Sequence, residues 1–320
     1  MAVLVVGGAG YIGSHAAHML QRKGYDVIIY DNLCTGHKEL ADGFELIVGD
    51  IADSAKLTKA LTRCDSVMHF AAHAYVGESV ENPKKYFHNN VTAAIVLLNA
   101  VMESRARKFI FSSTAAVYGN PATSPITEGS SRQPVNPYGA TKLAFENALE
   151  AYSRAYGLKF VSFRYFNAAG ADEGGQIGER HNPETHLIPI ILQAILGKRA
   201  ALEIFGDDYP TADGTCIRDY IHVNDLAEAH VLGLEYLSKG ESTAMNLGTG
   251  QGYSVHHVVS AAERVTGRKV PTHIGQRRPG DPADLVADPA LAQRLLNWKA
   301  KRSLEEIIES AWKWAQKSGA

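Results

Sequence analysis

Apolar runs and polar turns alternate along the first half of the chain. Ala2–Val6 is a short unbroken apolar run rich in β-branched residues, the mark of a strand covered on both faces. Glycines follow it, and a helical pattern then runs from Ser14 to about Lys23. Further strands are predicted at Asp26–Tyr30, ending on Asp31, at Phe44–Val48 and at Ser66–Phe70. The stretch Asn90–Glu103 has helical spacing but is apolar on nearly every face. One side of such a helix packs on a sheet, and the other side needs a further partner. Strands at Lys108–Phe111 and Lys159–Tyr165 continue the series, and a helix opens between them at Asn136-Pro137. This alternation predicts an α/β fold: a Rossmann-type, doubly wound parallel sheet.

Beyond Gly170 the texture changes. A glycine-rich loop from Asp172 to Thr185 is expected to lie over the site as a mobile cover. His186–Leu196 reads as a helix and Ala201–Phe205 as a strand. The segment Arg218–Asp225 leads into a helix at Leu226–Leu237. Ala244–Leu247 reads as a strand returning to the first sheet, and Ser254–Val265, Val270–His273 and terminal helices complete a smaller second half. The expected division is residues 1–170, with a returning segment near 219–250, and residues 171–320 as a C-terminal substrate-binding domain.

Totals narrow the setting. With 320 residues, 45% hydrophobic and 21% charged, the chain has the composition of an ordinary globular protein with a sizeable core. A formal charge of −2 gives no reason to expect nucleic acid or an anionic membrane as partner. Cys34, Cys64 and Cys216 lack metal-ligand spacing and read as free thiols of a reducing, cytoplasmic setting. Ala2–Val6 has no basic flank and runs straight into glycines, so no secretory signal is expected there. No stretch approaches the ~20 apolar residues of a membrane span.

The chemistry-bearing residues sit at the ends of the predicted strands. Gly7, Gly10 and Gly13 allow a tight turn and close approach of a pyrophosphate to a helix N-terminus. Asp31 can accept both hydroxyls of an adenine ribose and would repel a 2′-phosphate, and Asn32 rather than arginine follows it. NAD is therefore expected rather than NADP. Asp50 is placed to meet the adenine amino group, and the small residues after Phe70 suit a close pass by a cofactor. Tyr138 and Lys142 lie one helical turn apart on one face. A cation ~4 Å from the phenol at an effective dielectric near 20 contributes ~4 kcal/mol, roughly three pKa units, which would make Tyr138 a base. Thr114, at a strand's C-terminal end, can hydrogen-bond the oxygen that Tyr138 deprotonates. Arg218 and Arg278 with Asp281 suit a diphosphate and a ribose, although Arg218-Asp219 and Arg278-Asp281 read equally as structural ion pairs. The histidines are scattered, read as surface or packing residues, and no metal site is expected.

The motifs GGAGYIGSH at Gly7–His15, YDNLCTG at Tyr30–Gly36, VGES at Val76–Ser79, FSSTAAVYG at Phe111–Gly119, PYGATK at Pro137–Lys142, RYFNAAGA at Arg164–Ala171, DGTCIRDYIHV at Asp213–Val223 and RRPGD at Arg277–Asp281 together resemble the nucleotide-sugar epimerases of the extended short-chain dehydrogenase/reductase family. The likeness runs nearly end to end. It implies interconversion of UDP-glucose and UDP-galactose by transient oxidation at C4, with N-acetylhexosamine or pentose UDP-sugars as the alternative. Catalytic roles fall on Thr114, Tyr138 and Lys142. Cofactor contacts fall on Tyr11, Ile12, Asp31, Asn32, Leu33, Cys34, Thr35, Gly36, Asp50, Ile51, Phe70, Ala71, Ala72, Ala74, Asn89 and Phe166. The substrate set gains Asn167, His186, Leu187, Glu203, Ile204, Phe205 and Tyr220, with Leu285 as a gate beside the sugar C2. Ala74 departs from members that carry lysine there. Dehydratases of this family carry Asp-Glu after the threonine, where this chain has Ala115 and Ala116, so elimination lacks its acid and base. The resemblance also implies a homodimer through the helices Asn90–Glu103 and Tyr138–Tyr156.

Overall fold

A computed structural model describes residues 2–278 and 281–318. Seven strands form one sheet: β1 (Ala2–Val6), β2 (Asp26–Asp31), β3 (Glu45–Val48), β4 (Ser66–His69), β5 (Lys108–Thr114), β6 (Lys159–Tyr165) and β7 (Thr243–Leu247), in spatial order 7-6-5-4-1-2-3. Every neighbouring pair is parallel. The chain builds outward from β1 through β2 and β3, then restarts at β4 and builds the other way. That reversal opens a crevice at the strands' C-terminal edge, where ligands of such sheets bind.

The main helices are α1 (Tyr11–Arg22), α2 (Ala94–Glu103), α3 (Pro137–Tyr156), α4 (Leu187–Ile195), α5 (Val223–Tyr236), α6 (Val255–Thr266) and α7 (Leu304–Ser318). Strand alternation feeds two cores. Val3 and Val5 point into one, with residues of α1 and α5, while Leu4 and Val6 point into the other, with residues of α2 and α3. This is why β1 reads as an unbroken apolar run. A third cluster, built by α4, α6 and α7, forms the core of the second half.

Two elements differ from the sequence reading. β5 runs past Phe111 to Thr114, because Ser112 and Ser113 keep pairing with Phe163 and Arg164 of β6. The apolar helix does not start at Asn90: a π-helical turn, His88–Ala93, precedes α2. The buried Asn90 side chain bonds another segment there, and such turns collect at functional sites. The strand predicted to return does so as β7, beside β6. Asn167–Ala169 pairs with Tyr220–His222, and Ile217–Arg218 pairs with both Asp284–Leu285 and Tyr253–Ser254. These short pairings attach the second half to the crevice.

Candidate active site

β1 delivers the chain into the turn at Gly7, whose φ of +80° lies in the left-handed region. A Cβ there would stand 2.4 Å from Ala71 N, and one on Gly13 would stand 2.2 Å from Gly7 O. Turn and helix thus touch backbone to backbone. Gly10 is the N-cap of α1 and no side chain caps it, so first-turn N–H groups around Ile12 face outward for an anion. The Tyr11 phenol is committed elsewhere, donating to Gly170 O at 2.6 Å. Phe70, Ala71 and Ala72 are half-buried beside the turn, and Ala74 is exposed.

Asp31 ends β2 and is buried. Its carboxylate accepts from Ala9 N–H at 3.0 Å and Leu33 N–H at 2.8 Å. Burial raises its pKa, and those backbone bonds pull it back. A side chain at Gly36 would land 2.9 Å from Asp31 Oδ1, so glycine keeps that carboxylate's approach clear. No Lys or Arg ion pair to Asp31 is found among the described residues, as suits a ribose diol and not a phosphate. Leu33 takes φ 60° and winds the loop so that Asn32, Cys34 and Thr35 are exposed at its rim. Asn32 Nδ2 donates to Asp50 Oδ2 at 2.8 Å, and Ile51 is buried beside it. These residues fit NAD.

The helix carrying Tyr138 and Lys142 is placed by its own start. Asn136 Oδ1 accepts from Gly139 N–H at 2.8 Å, and Pro137 occupies the first turn. A Cβ on Gly139 would lie 2.5 Å from Ala116 O, so glycine lets α3 close on the segment after β5. That contact brings the Tyr138 phenol to Thr114. The Thr114 hydroxyl accepts from Ala116 N–H at 3.1 Å and lies near enough to the phenol to hold its pKa lower than burial alone would set it. Lys142 is buried, donates to Ser112 O at 2.8 Å, and lies 5.9 Å from the Tyr138 ring centre.

The titration of this trio differs from the expectation. Burial pushes the Tyr138 phenol up to about 12, and the Thr114 hydrogen bond only moderates this. Burial also pushes Lys142 down to about 7, against the attraction of Glu146. The ammonium is turned to Ser112 O and pays for its own desolvation, so it does not lower the phenol as the spacing suggested. Glu146 lies one turn along α3, takes Ser113 Oγ–H at 2.5 Å, and pairs with Arg164 at 2.6 Å, both buried. Arg164 continues to Tyr118, whose hydroxyl donates to Asn246 at 2.7 Å. This network ties β5, β6, β7 and α3 together behind the trio.

Asn90 is a residue that sequence reasoning missed in favour of its neighbour. Its side chain bonds both N–H and C=O of His73 at 2.9 Å and reaches Thr141 at 3.2 Å, so it fastens the cofactor-side segment to α3. Asn89 serves it, donating at 2.9 Å. The signal was available: a polar residue among apolar ones at the start of a predicted helix.

The substrate candidates line the same edge with some exchanges of partner. Asn167 Nδ2 donates to Asp219 O at 3.0 Å, and the half-buried Phe166, Leu143 and Leu285 each pack against the buried cluster of Ala115, Val117, Tyr118 and Ile126. Leu285 pairs with Arg218 across the small sheet. Arg218 pairs with Asp281, whereas Arg278 lies over the Phe205 ring at 4.0 Å, so the alternative Arg278–Asp281 pairing is not formed. Asp219 is no partner of Arg218: it is buried and accepts from Thr249, Gly250 and Ala287. Glu203 is exposed, but Ile204 on the next position points into the third core, leaving only its backbone for a ligand. Tyr220 is buried, which raises its phenol. His186 stands at the N-cap position of α4 without capping it, ahead of the half-buried Leu187, with Nδ1 2.8 Å from Glu179 Oε1. The loop before it is not a free flap: Trp314 Nε1 donates to Glu179 O at 2.7 Å, and a Cβ on Gly178 would strike the Trp314 ring at 2.5 Å. Pro279 and Gly280 of the RRPGD motif lie outside the described residues.

A glycine turn, a ribose-reading carboxylate and a Thr-Tyr-Lys trio on one crevice define a dinucleotide-dependent enzyme of the short-chain dehydrogenase/reductase type. Residues 3–248 match the NAD dependent epimerase/dehydratase family, and the chain belongs to it. A curated relative, the UDP-glucose 4-epimerase of Halalkalibacterium halodurans, is 51% identical over 98% of this chain and 95% of its own. The crystal structure of UDP-glucose 4-epimerase from Brucella ovis in complex with NAD is 51% identical with TM-score 0.95, covering 97% of each chain. That of the Stenotrophomonas maltophila enzyme, with bound NAD and formylated UDP-arabinopyranose, is 41% identical with TM-score 0.97, covering 100% of this chain and 99% of its own.

Proposed function

We propose that this protein interconverts UDP-glucose and UDP-galactose as an NAD-dependent 4-epimerase working in the cytoplasm. The observation that carries the reading is the Thr114–Tyr138 contact beside Lys142, on the crevice that the glycine turn and Asp31 also face. NAD, once bound, would supply the redox chemistry, as a reversible hydride acceptor for the sugar C4. Thr114 orients the sugar O4, and Tyr138 takes its proton and later restores it. A phenol near 12 keeps its proton, so added positive charge must reach it before it acts as a base. Lys142, one turn away and 5.9 Å from the Tyr138 ring centre, is the side chain placed to supply part of this charge. Asp31, Gly36 and the first turn of α1 hold the dinucleotide. Arg218, Asp281 and Arg278 clamp the UDP end, with residues 1–170 serving the cofactor and 171–320 the substrate. The ketone turns about its diphosphate link while that clamp holds.

The test offers the purified protein UDP-glucose, UDP-galactose and UDP-N-acetylglucosamine separately, without added nicotinamide, and resolves the epimers by chromatography. Expected are copurified NAD and interconversion of the two hexoses. Absence of either hexose epimer, or equal activity of protein stripped of all dinucleotide, would sink the reading.

A further inference from the structure

Four side chains on the connection into α4 converge on one point. Glu179, His181, Glu184 and His186 each present one donor atom, and all four atoms lie within 4.8 Å of one another. His186 Nδ1 stands 2.8 Å from Glu179 Oε1 and 3.1 Å from Glu184 Oε1. His181 Nδ1 stands 3.2 Å from Glu179 Oε1 and 3.7 Å from Glu184 Oε2. Donors at tetrahedral positions ~2.0–2.1 Å from a zinc ion are about 3.3 Å apart. The four histidine–carboxylate spacings, 2.8 to 3.7 Å, straddle that value, and the widest pair within the group, at up to 4.8 Å, must draw in on binding.

Other features separate this group from a chance meeting of charges. His181 Nδ1 is sealed from solvent and forms no hydrogen bond, although it stands beside both carboxylates. The carboxylates are already held from behind: Glu184 Oε1 accepts from Thr185 and His186 N–H at 2.8 and 2.9 Å, and Trp314 fixes the Glu179 backbone. Ligand carboxylates in metal sites are oriented in this way. Arg180, between them in sequence, points away to Glu39. A cavity of about 60 Å³, lined by Glu179, His181, Glu184 and Trp314 among others, adjoins the group. His186 is 46% exposed and gives an ion a way in.

We propose that Glu179, His181, Glu184 and His186 form a four-ligand site for a divalent cation of the zinc type, pinning the loop after Gly170 to the start of α4. Two carboxylates balance the charge and two imidazoles supply the nitrogen donors that favour zinc over calcium or magnesium. Four protein ligands leave no open position, so the ion is structural. The proposal is independent of the epimerase reading, since its readouts are metal content and unfolding.

The experiment measures metal per chain in the full-length protein by mass spectrometry. Isothermal titration with Zn²⁺ after chelation, and melting with and without the ion, complete it. Expected are about one zinc per chain, one saturable site, and a melting temperature that falls on chelation and returns with Zn²⁺. Glu179→Gln and His181→Asn should each weaken Zn²⁺ at least ~10-fold, since even loss of an outer-shell partner costs 10- to 100-fold. Wild-type protein with no bound metal and no saturable Zn²⁺ uptake overturns the proposal, and needs no variant. Folded variants that bind Zn²⁺ as wild type also overturn it.

Discussion

At the scale of single residues, the trio shows how burial and charge divide the work of a base. Tyr138→Phe keeps the aromatic ring that Lys142 faces and removes the phenol oxygen beside Thr114. Epimerase turnover should fall about 10²–10⁴-fold, with NAD content unchanged. A variant keeping more than about a tenth of kcat would show that the phenol is not the base. Leu285 makes a second case. It packs against the cluster of Ala115, Val117, Tyr118 and Ile126 just after Thr114 and pairs with Arg218, which joins the trio's side of the crevice to the proposed diphosphate clamp. Extra atoms forced against a packed leucine cost ~1–3 kcal/mol, or roughly five- to a hundredfold in kcat/KM. UDP-N-acetylglucosamine should therefore turn over slowly beside the plain hexoses. Leu285→Ala should raise its kcat/KM and Leu285→Tyr should suppress it while sparing the hexoses. An unchanged ratio in both variants would remove Leu285 from the sugar pocket.

At the scale of elements, the fold was largely legible because most strands are buried on both faces and carry their own apolar signature. β1, β6 and β7 lie within a residue of their predicted ends. What was not legible depends on partners distant in sequence. β5 continues through Ser112 and Ser113 because β6 and Glu146 satisfy them. Asn90 spoils a helix start because His73 needs it. Glu179-x-His-x-x-Glu-x-His186 carried a ligand-like spacing, but only folding shows that the four atoms meet. The excess apolarity of α2 has a consequence of its own. Its sheet side is covered, while Ile95, Val96 and Met102 stay half-buried and Tyr152 of α3 bonds Asn99 at 2.7 Å beside them. We expect a homodimer through α2 and α3, with Val96→Glu shifting it to monomer while NAD stays bound. Sedimentation at micromolar concentration checks this, and a wild-type monomer would count decisively against it.

At the scale of the whole molecule, the histidines that serve as packing residues become a stability element. His15, His69, His222 and His230 are all buried. Desolvation lowers His15 and His230 to about 4, and His69 and His222 to about 3. Nearby cations act in the same direction, Lys142 on His69 and Arg302 on His222. His230 is packed by Phe70, Phe163 and Tyr165, with ring centres 4.9 to 5.6 Å away. In the unfolded chain each imidazole returns to about 6.5. Below that pH the unfolded state binds protons that the folded state refuses, so stability falls as pH falls. The loss begins near pH 6.5 and continues to about 4 for His15 and His230 and to about 3 for His69 and His222. Each such proton contributes up to ~1.4 kcal/mol per pH unit, and the four act in the same direction. Denaturant unfolding at pH 7, 6 and 5 should show stability dropping sharply across this window, before ordinary carboxylates titrate. His230→Phe keeps an aromatic ring in the same pocket and should make that slope shallower by about one proton. Equal stability at pH 7 and pH 5 would mean that these imidazoles accept protons inside the folded core.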